Sequence, residues 1–135
     1  MPTELEEKDA IRELQARYCF HFDNAEFDRW LNLWTPDGAF DLGQRGGRLV
    51  GRDRLSKFLR SIPLTNGSPL MRHCVMNSIV EVDDKRAKAW CYVVVIHGGK
   101  PLGITLAGRY EDQLIKSDGG WLFQERKVSF DLMGV

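Results

Sequence analysis

The chain lacks the features that would place it in several large functional classes. Its 135 residues contain no apolar run of about 18 residues, so no transmembrane helix is expected. Its 19 basic residues equal its 19 acidic residues, which argues against a nucleic-acid or anionic-membrane surface. The first residues are acidic and do not resemble a signal peptide, so we expect a cytoplasmic protein.

Motifs for metals, nucleotides and reactive thiols are also missing. Cys19, Cys74 and Cys91 are far apart and form no Cys-x-x-Cys pair, which favours small reduced core residues. The three histidines show no His-x-x-x-His spacing, and no glycine-rich phosphate-binding loop is present. We therefore predict neither a metal nor another cofactor.

The first half of the chain shows helical periodicity. Ile11, Leu14, Tyr18 and Phe22 share one helical face, which predicts a helix over 3–22 that begins at Thr3. Apolar spacing predicts further helices over 26–34 and 52–62. Residues 35–38 read as a breaker between them, and short strands are expected at 39–42 and 48–50.

The second half changes to strand patterns. Strands are predicted over 71–82, 86–97, 102–116 and 121–132, with turn residues between them, which gives an antiparallel meander. Helices followed by strands indicate an α+β fold, here a single domain over 1–135. Strands of ten or more residues twist and coil. We therefore expect a strongly curved, mixed-to-antiparallel sheet around the helices, enclosing a pocket for a hydrophobic small molecule.

Asp23 stands out at the end of the first predicted helix. A carboxylate gains nothing from the negative end of a helix dipole, so another interaction should account for it. Asp23 and Asn24 could simply form a turn. Alternatively, Asp23 pairs with a base, for which His73 is the best candidate, and the two would then form a catalytic pair.

Other candidate site residues follow from the predicted strands and helix. Strand alternation places His73, Val75, Asn77 and Ile79 on one face, which we interpret as a pocket wall. Tyr18 is either a core residue with a satisfied hydroxyl or a catalytic acid, and His97 either caps its strand before Gly98 or faces the pocket. The expected pocket residues are Phe22, Trp34, Phe40, Asn77, His97 and Tyr110.

Several short motifs, in their order and spacing, resemble one known superfamily. They comprise Ile11-x-x-Leu14-x-x-x-Tyr18-x-x-x-x-Asp23, Trp34-Thr35-Pro36-Asp37-Gly38-Ala39-Phe40, Gly51-Arg52-Asp53, Arg72-His73-x-x-x-Asn77, Gly108-Arg109-Tyr110-x-Asp112 and Gly119-Gly120-Trp121. The chain is similar to the nuclear-transport-factor-2-like superfamily, in its SnoaL-like branch. This resemblance implies a cystatin-like cone of helices within a curved sheet.

The resemblance also implies candidate chemistry. Scytalone dehydratase, bile-acid 7α-dehydratase and hexachlorocyclohexane dehydrochlorinase are similar in pairing an Asp with a His at positions that match Asp23 and His73. The bile-acid enzyme also matches at Tyr18. Two tyrosines of scytalone dehydratase fall on Phe22 and Leu42, so the resemblance does not extend to the tyrosines that hold a water there.

Three functions are compatible with these observations. The first is a cofactor-free lyase or isomerase that uses Asp23, His73 and Tyr18 on a small apolar hydroxylated or carbonyl substrate. The second is a small-molecule-binding protein without turnover, and the third is a structural subunit like the β-chain of ring-hydroxylating dioxygenases. The resemblance also implies a homodimer or homotrimer.

Overall fold

The structure, a computed structural model, describes residues 1–134 as three helices and six strands in one sheet. The helices are α1 (Glu4–Asp23), α2 (Phe27–Leu31) and α3 (Arg52–Arg60). The strands are β1 (Trp34–Asp41), β2 (Arg48–Val50), β3 (Met71–Asp83), β4 (Arg86–His97), β5 (Gly103–Ser117) and β6 (Gly120–Ser129). Short 3₁₀ turns lie at Gly43–Arg45 and Asp131–Met133.

Helix α1 forms as the sequence predicts. The Thr3 side chain caps it by accepting a hydrogen bond from the Glu6 N–H at 3.1 Å, and acidic residues of the first turn complement the helix dipole. The apolar face, together with Gln15 and Asp23, is buried. Because α1 packs on β3, its last residue lies beside the beginning of that strand.

The sheet has the strand order β2-β1-β6-β5-β4-β3. Strands β3 to β6 form the predicted antiparallel meander, and β1 joins β6 in parallel, so the sheet is mixed. The sheet is curled and not closed, with β2 and β3 at its edges. The α+β fold class predicted from the sequence is therefore confirmed.

Some predicted boundaries are wrong. Trp34 begins β1 instead of ending a helix, and the predicted breaker at 35–38 lies within that strand. The pairing of β1 with β6 shifts register between Trp34 and Ala39, and this irregularity accommodates Pro36 and Gly38. Strand β6, predicted over 121–132, stops at Ser129, and a 3₁₀ turn at Asp131–Met133 follows.

A β-bulge in β3 overturns the predicted face of Asn77. The register with β4 shifts between Met76 and Ile79, and Asn77 adopts a φ of +58°. An extra residue reverses the inward–outward alternation. Ile79 therefore points outward and is 61% exposed, whereas Val80 is buried, and Asn77 is exposed instead of lining a pocket.

The concave side of the sheet contains a dense aromatic cluster centred on Tyr18. The ring centroid of Tyr18 lies within 6.5 Å of those of Phe22, Trp30, Trp34, Phe40, His73, Tyr110 and Phe123. These rings occupy much of the space in which we expected an open pocket.

Among residues 1–134, no helix is both long and apolar enough to cross a bilayer.

Candidate active site

Asp23 and His73 form a buried pair where α1 ends and β3 begins. The Oδ1 atom of Asp23 lies 2.7 Å from Nδ1 of His73. The second carboxylate oxygen, Oδ2, accepts a hydrogen bond from the backbone N–H of His73 at 2.8 Å. Both oxygens of one carboxylate thus bind a single residue, which fixes the imidazole relative to the end of α1.

This geometry determines which ring nitrogen of His73 carries hydrogen. An ionised carboxylate only accepts hydrogen bonds, so Nδ1 must donate to Asp23. In a neutral imidazole, Nε2 then holds the free lone pair. Nε2 has no hydrogen-bond partner among residues 1–134. The pair can therefore accept a proton at Nε2 and stabilise the resulting imidazolium through Asp23.

The surroundings of the pair are mainly apolar. The His73 ring centroid lies 4.6 Å from that of Phe22 and 6.0 Å from that of Tyr18, both in edge-to-face arrangements. Only 8% of the His73 side chain and 6% of the Asp23 side chain are exposed. The low local polarity strengthens the charge interaction within the pair.

Tyr18 lies between this pair and a second buried charge, that of Arg126. Its ring contacts His73 on one side, and the Arg126 guanidinium carbon lies 4.4 Å from the ring centroid on the other. Burial raises the pKa of Tyr18, although Arg126 and a hydrogen bond with Tyr110 oppose this effect. Burial likewise raises the pKa of Tyr110. Both phenols are therefore neutral near pH 7.

Arg126 and Asp112 form a fully buried ion pair between β5 and β6. Nε of Arg126 donates to Oδ1 of Asp112 at 2.7 Å, and Nη2 donates to Oδ2 at 2.8 Å, with both side chains 0% exposed. Burial disfavours the guanidinium charge, but the Asp112 carboxylate outweighs it and raises the pKa of Arg126 above its ordinary value. The site therefore contains a permanent positive charge.

Polar and aromatic neighbours complete this buried cluster. Gln15 donates to Asp112 at 3.3 Å and accepts from the Ser78 hydroxyl at 2.7 Å. The Arg126 guanidinium lies 3.8 Å from the ring centroid of Tyr110 and 4.5 Å from that of Phe123, in cation–π contact. The charge is thus held by one carboxylate and three aromatic rings, that of Tyr18 included.

Our sequence reasoning left Arg126 out of the site. Residue type predicts that Arg126 faces solvent or pairs with an acid, or that it lines the pocket if the substrate is anionic, and the structure shows a pair with Asp112. A signal was present at the end of β6, because Arg126 shares the alternation of Val128 and of Phe130, the residue after the strand, both of which are buried. A basic residue on the buried side of a strand requires a buried partner.

Three buried donors near Tyr18 have no acceptor among residues 1–134: Nη1 of Arg126, Nε1 of Trp30 and Nε1 of Trp34. The two indole rings lie 5.3 Å and 6.4 Å from the Tyr18 ring, measured between centroids. Native proteins pair nearly all buried polar groups, so such donors require an explanation. A ligand oxygen within the aromatic cluster would supply the missing acceptor.

The other predicted pocket residues fall into three groups. Phe22, Trp34, Phe40 and Tyr110 are buried in the aromatic cluster. His97 is partly buried at the end of β4, where Nδ1 interacts with the carbonyl oxygen of Gly98 at 3.2 Å, as expected of a strand cap. Asn77 lies outside the site on the β3 bulge.

Thiols and metal-ligand groups have no evident part in this site. Burial raises the pKa of Cys19 to about 12 and that of Cys91 to about 11, so both are neutral thiols near pH 7. Within residues 1–134, no three side chains of the metal-binding types converge.

The curled six-stranded sheet and the helices packed on it define an α+β protein of the cystatin-like class. Residues 3–127 match the SnoaL-like domain family. The chain belongs to this family, within the nuclear-transport-factor-2-like superfamily. No curated protein is significantly similar to the chain in sequence.

Solved structures support the same fold. The function-unknown protein Rv3472 from Mycobacterium tuberculosis is 28% identical, over 93% of this chain and 77% of that one, with a TM-score of 0.82. A candidate scytalone dehydratase from Novosphingobium aromaticivorans is 28% identical, over 92% and 83% of the two chains, with a TM-score of 0.80. A nuclear-transport-factor-2-like protein from the same organism is 23% identical, over 97% and 85%, with a TM-score of 0.84.

Proposed function

We propose that the protein is a cofactor-free lyase or isomerase that removes a proton from carbon in a small, largely apolar substrate. The observation that carries this proposal is the buried Asp23–His73 pair, in which Nδ1 is bound to Asp23 and Nε2 has no partner among residues 1–134. His73 is the base, and Asp23 fixes its tautomer and stabilises its charged form.

The reaction needs no external oxidant or reductant. Nε2 of His73 takes a proton from a carbon next to a carbonyl group, and the C–H electron pair moves toward that group. In an elimination, this pair then forms a C=C bond while the adjacent C–O bond breaks. The leaving hydroxide takes up the proton and departs as water. In an isomerisation, the same proton returns to another carbon of the conjugated system.

The buried donors near Tyr18 fit this chemistry. Proton abstraction next to a carbonyl places negative charge on oxygen, and donors already directed at that oxygen lower the barrier. Nη1 of Arg126 and the indole N–H groups of Trp30 and Trp34, which have no acceptor among residues 1–134, are the donors that we propose for this role. Tyr18, a neutral phenol beside His73, can relay this proton: it gives its own proton to the leaving oxygen and receives the one that Nε2 of His73 has taken from carbon.

The comparisons support the same reaction class. The candidate scytalone dehydratase shares 28% identity and 92% coverage of this chain, and its name denotes removal of water from a hydroxylated substrate. We extend that reaction type to this chain, with hydroxylated steroid-, terpenoid- and polyketide-like compounds as the substrates to screen.

The proposal is tested with His73→Ala and Asp23→Asn on whichever compound of this panel the unaltered protein converts. We expect kcat of the His73→Ala variant to fall by a factor of about 10²–10⁴, the usual contribution of a general base. Asp23→Asn should also lose kcat, because the amide cannot stabilise an imidazolium. Product formation is followed by mass spectrometry, as loss of water or as an isomer of equal mass.

The matched control is His21→Ala. His21 also interacts with a carboxylate, Glu26, at 3.1 Å, but 13% of its side chain and 37% of that of Glu26 are exposed. Its removal should leave kcat unchanged. Less than a tenfold loss in His73→Ala would contradict the base role. Tight ligand binding without turnover, unaffected by Asp23→Asn, would instead indicate a binding protein.

A further inference from the structure

A groove beside α3 carries an unusual charge pattern. Its volume is about 580 Å³, within the range of small-molecule sites. It lies between α3 and the segment that joins β1 to β2. The lining residues are Leu42, Arg45, Gly46, Leu49, Arg54, Lys57, Phe58 and Ser61.

The groove contains three cations and no carboxylate. Each of four other surface cavities formed by residues 1–134 includes acidic side chains. Arg45, Arg54 and Lys57 form no ion pair with another described residue. Asp53, one helical turn before Lys57, does not pair with it either. In a chain of zero net charge, this groove is therefore a local positive region open to an external anion.

Side-chain packing partly fixes this arrangement. The guanidinium carbon of Arg45 lies 4.5 Å from the Phe130 ring centroid, so a cation–π contact holds one of the cations. Leu42, Leu49 and Phe58 are partly buried and provide an apolar floor. An apolar floor with cations along it suits a ligand that has a hydrocarbon part and one acidic group.

Phe58 connects this groove to the Asp23–His73 pair. Its ring centroid lies 5.6 Å from that of Phe40 and 6.4 Å from that of Phe22. Phe22 in turn lies 4.6 Å from His73. Phe58 and Phe22 thus form a series of ring contacts from the groove to the imidazole.

The geometry points to an acidic substrate, an apolar carboxylate or phosphate, whose anionic end binds Arg45, Arg54 and Lys57 while its apolar part lies along Phe58 toward His73. This inference rests on the function proposed above and specifies its substrate class. Carboxylate and phosphate share the chemistry that these cations recognise.

Binding of three octyl compounds tests the inference without turnover. Octanoate, octyl phosphate and 1-octanol share the hydrocarbon chain and differ in the head group, and their affinities are measured by calorimetry. We expect at least one anion to bind about tenfold or more tightly than octanol, the size of one charge-assisted hydrogen bond. Whichever of octanoate and octyl phosphate binds more tightly shows whether the site prefers a carboxylate or a phosphate. The preference should weaken with added salt.

The double variant Arg54→Gln/Lys57→Gln should abolish the preference for the anion while leaving octanol affinity unchanged. The control is Arg60→Gln/Lys88→Gln, which also removes two positive charges. One lies on α3 and the other on β4, and neither residue lines the groove. Equal affinity for octanol and both anions would overturn the inference. Retained anion affinity in the Arg54/Lys57 variant would do the same.

A second readout tests the connection to the active site. The Cε1–H resonance of His73, assigned by its loss in His73→Ala, should shift when the anion binds. An unchanged His73 resonance would show that the groove is unconnected to the pair and would overturn the assignment to substrate. Neither measurement needs catalysis, so a failure of the proposed lyase or isomerase activity would be recognised separately.

Discussion

The protein contains two buried acid–base pairs that differ in what their positions permit. Asp23 and His73 lie where α1 meets β3, and the His73 side chain keeps 8% of its surface exposed. Asp112 and Arg126 lie on neighbouring strands β5 and β6 and are 0% exposed. The first pair can exchange a proton with a ligand, whereas the second holds a fixed charge.

The chemistry of the two bases explains this division. Imidazole can take up and release protons near neutral pH, so a histidine supported by a carboxylate suits proton transfer. A guanidinium stays protonated in proteins and can only donate hydrogen bonds. Tyr18 contacts both bases. One aromatic cluster thus contacts both the Asp23–His73 pair and a permanently protonated guanidinium that is paired with Asp112.

The largest expected effect comes from breaking the fixed pair. Arg126→Met leaves the Asp112 carboxylate buried with Gln15 as its remaining donor, so the free energy of unfolding should fall by about 3–5 kcal/mol. Urea unfolding measures this change. Adding Asp112→Leu to Arg126→Met should restore much of the stability, because no buried charge then remains.

Arg48→Gln is the matched control. Arg48 and Glu125 are also 2.7 Å apart, but their side chains are 54% and 26% exposed. Exposed pairs contribute about 0–1 kcal/mol, so little stability should be lost. Equal losses in Arg126→Met and Arg48→Gln would contradict the contrast between a buried and an exposed ion pair.

A smaller effect is expected at the outer end of the Arg126 cluster. Ser78→Ala removes the hydroxyl that donates to Gln15 at 2.7 Å, which should cost about 0.5–1.5 kcal/mol in unfolding free energy. Ser61→Ala removes an exposed hydroxyl that donates to the Phe58 carbonyl at 2.6 Å, and it should change stability by less than about 0.5 kcal/mol. A loss in Ser61→Ala as large as in Ser78→Ala would show that burial does not set the cost.

The smallest expected effect is a loss of folding stability that is absent at neutral pH and appears only in alkali. Burial raises the pKa of the Cys91 thiol to about 11 and that of the Cys19 thiol to about 12, both from an unfolded value of 9.0. Above pH 9.0 the thiols of the unfolded chain ionise, whereas those of the folded protein stay protonated, so the unfolded state becomes more favourable as pH rises. This loss of stability begins near the unfolded pKa and is complete once pH has passed the folded pKa. Stability should therefore decline between about pH 9 and pH 12.

The tyrosines report the same transition. The pKa values of Tyr18 and Tyr110 are raised by burial from 10.0, so their phenolate absorbance should appear together with unfolding, followed in parallel by circular dichroism. Tyr92 is 54% exposed and is the internal reference. Ionisation of Tyr18 and Tyr110 in a still-folded protein would contradict their burial.

Much of the fold could be predicted because its signals are local. The spacing of Ile11, Leu14 and Tyr18 specified α1, and long runs separated by turn residues specified the meander. Errors arose where pairing overrides local preference. Residues 35–38 read as a breaker, yet neighbouring β6 accommodates them within β1. The bulge at Asn77 depends on the register with β4, which the sequence of β3 alone does not reveal.

The candidate site divides in the same way. The sequence left open whether Asp23 forms a turn or pairs with His73, and resemblance to known enzymes favoured the pair; the structure brings these two side chains within hydrogen-bond distance. The sequence did not show that Arg126 is fully buried, because residue type favours an exposed arginine. Overall charge balance also concealed the positive groove, since Arg45, Arg54 and Lys57 come together only when α3 packs against the β1–β2 connection.

The sequence by itself determined the helix-then-strand order and the amphipathic faces, because these depend on residue types at short, regular spacings. Resemblance to known motifs named Asp23 and His73 as candidate partners, although the two residues are 50 positions apart in the chain. Tertiary structure alone decided which face Asn77 takes, how far Arg126 is removed from water and where the unpaired cations gather. These properties depend on contacts between residues far apart in the chain, and burial and electrostatic environment arise from those contacts.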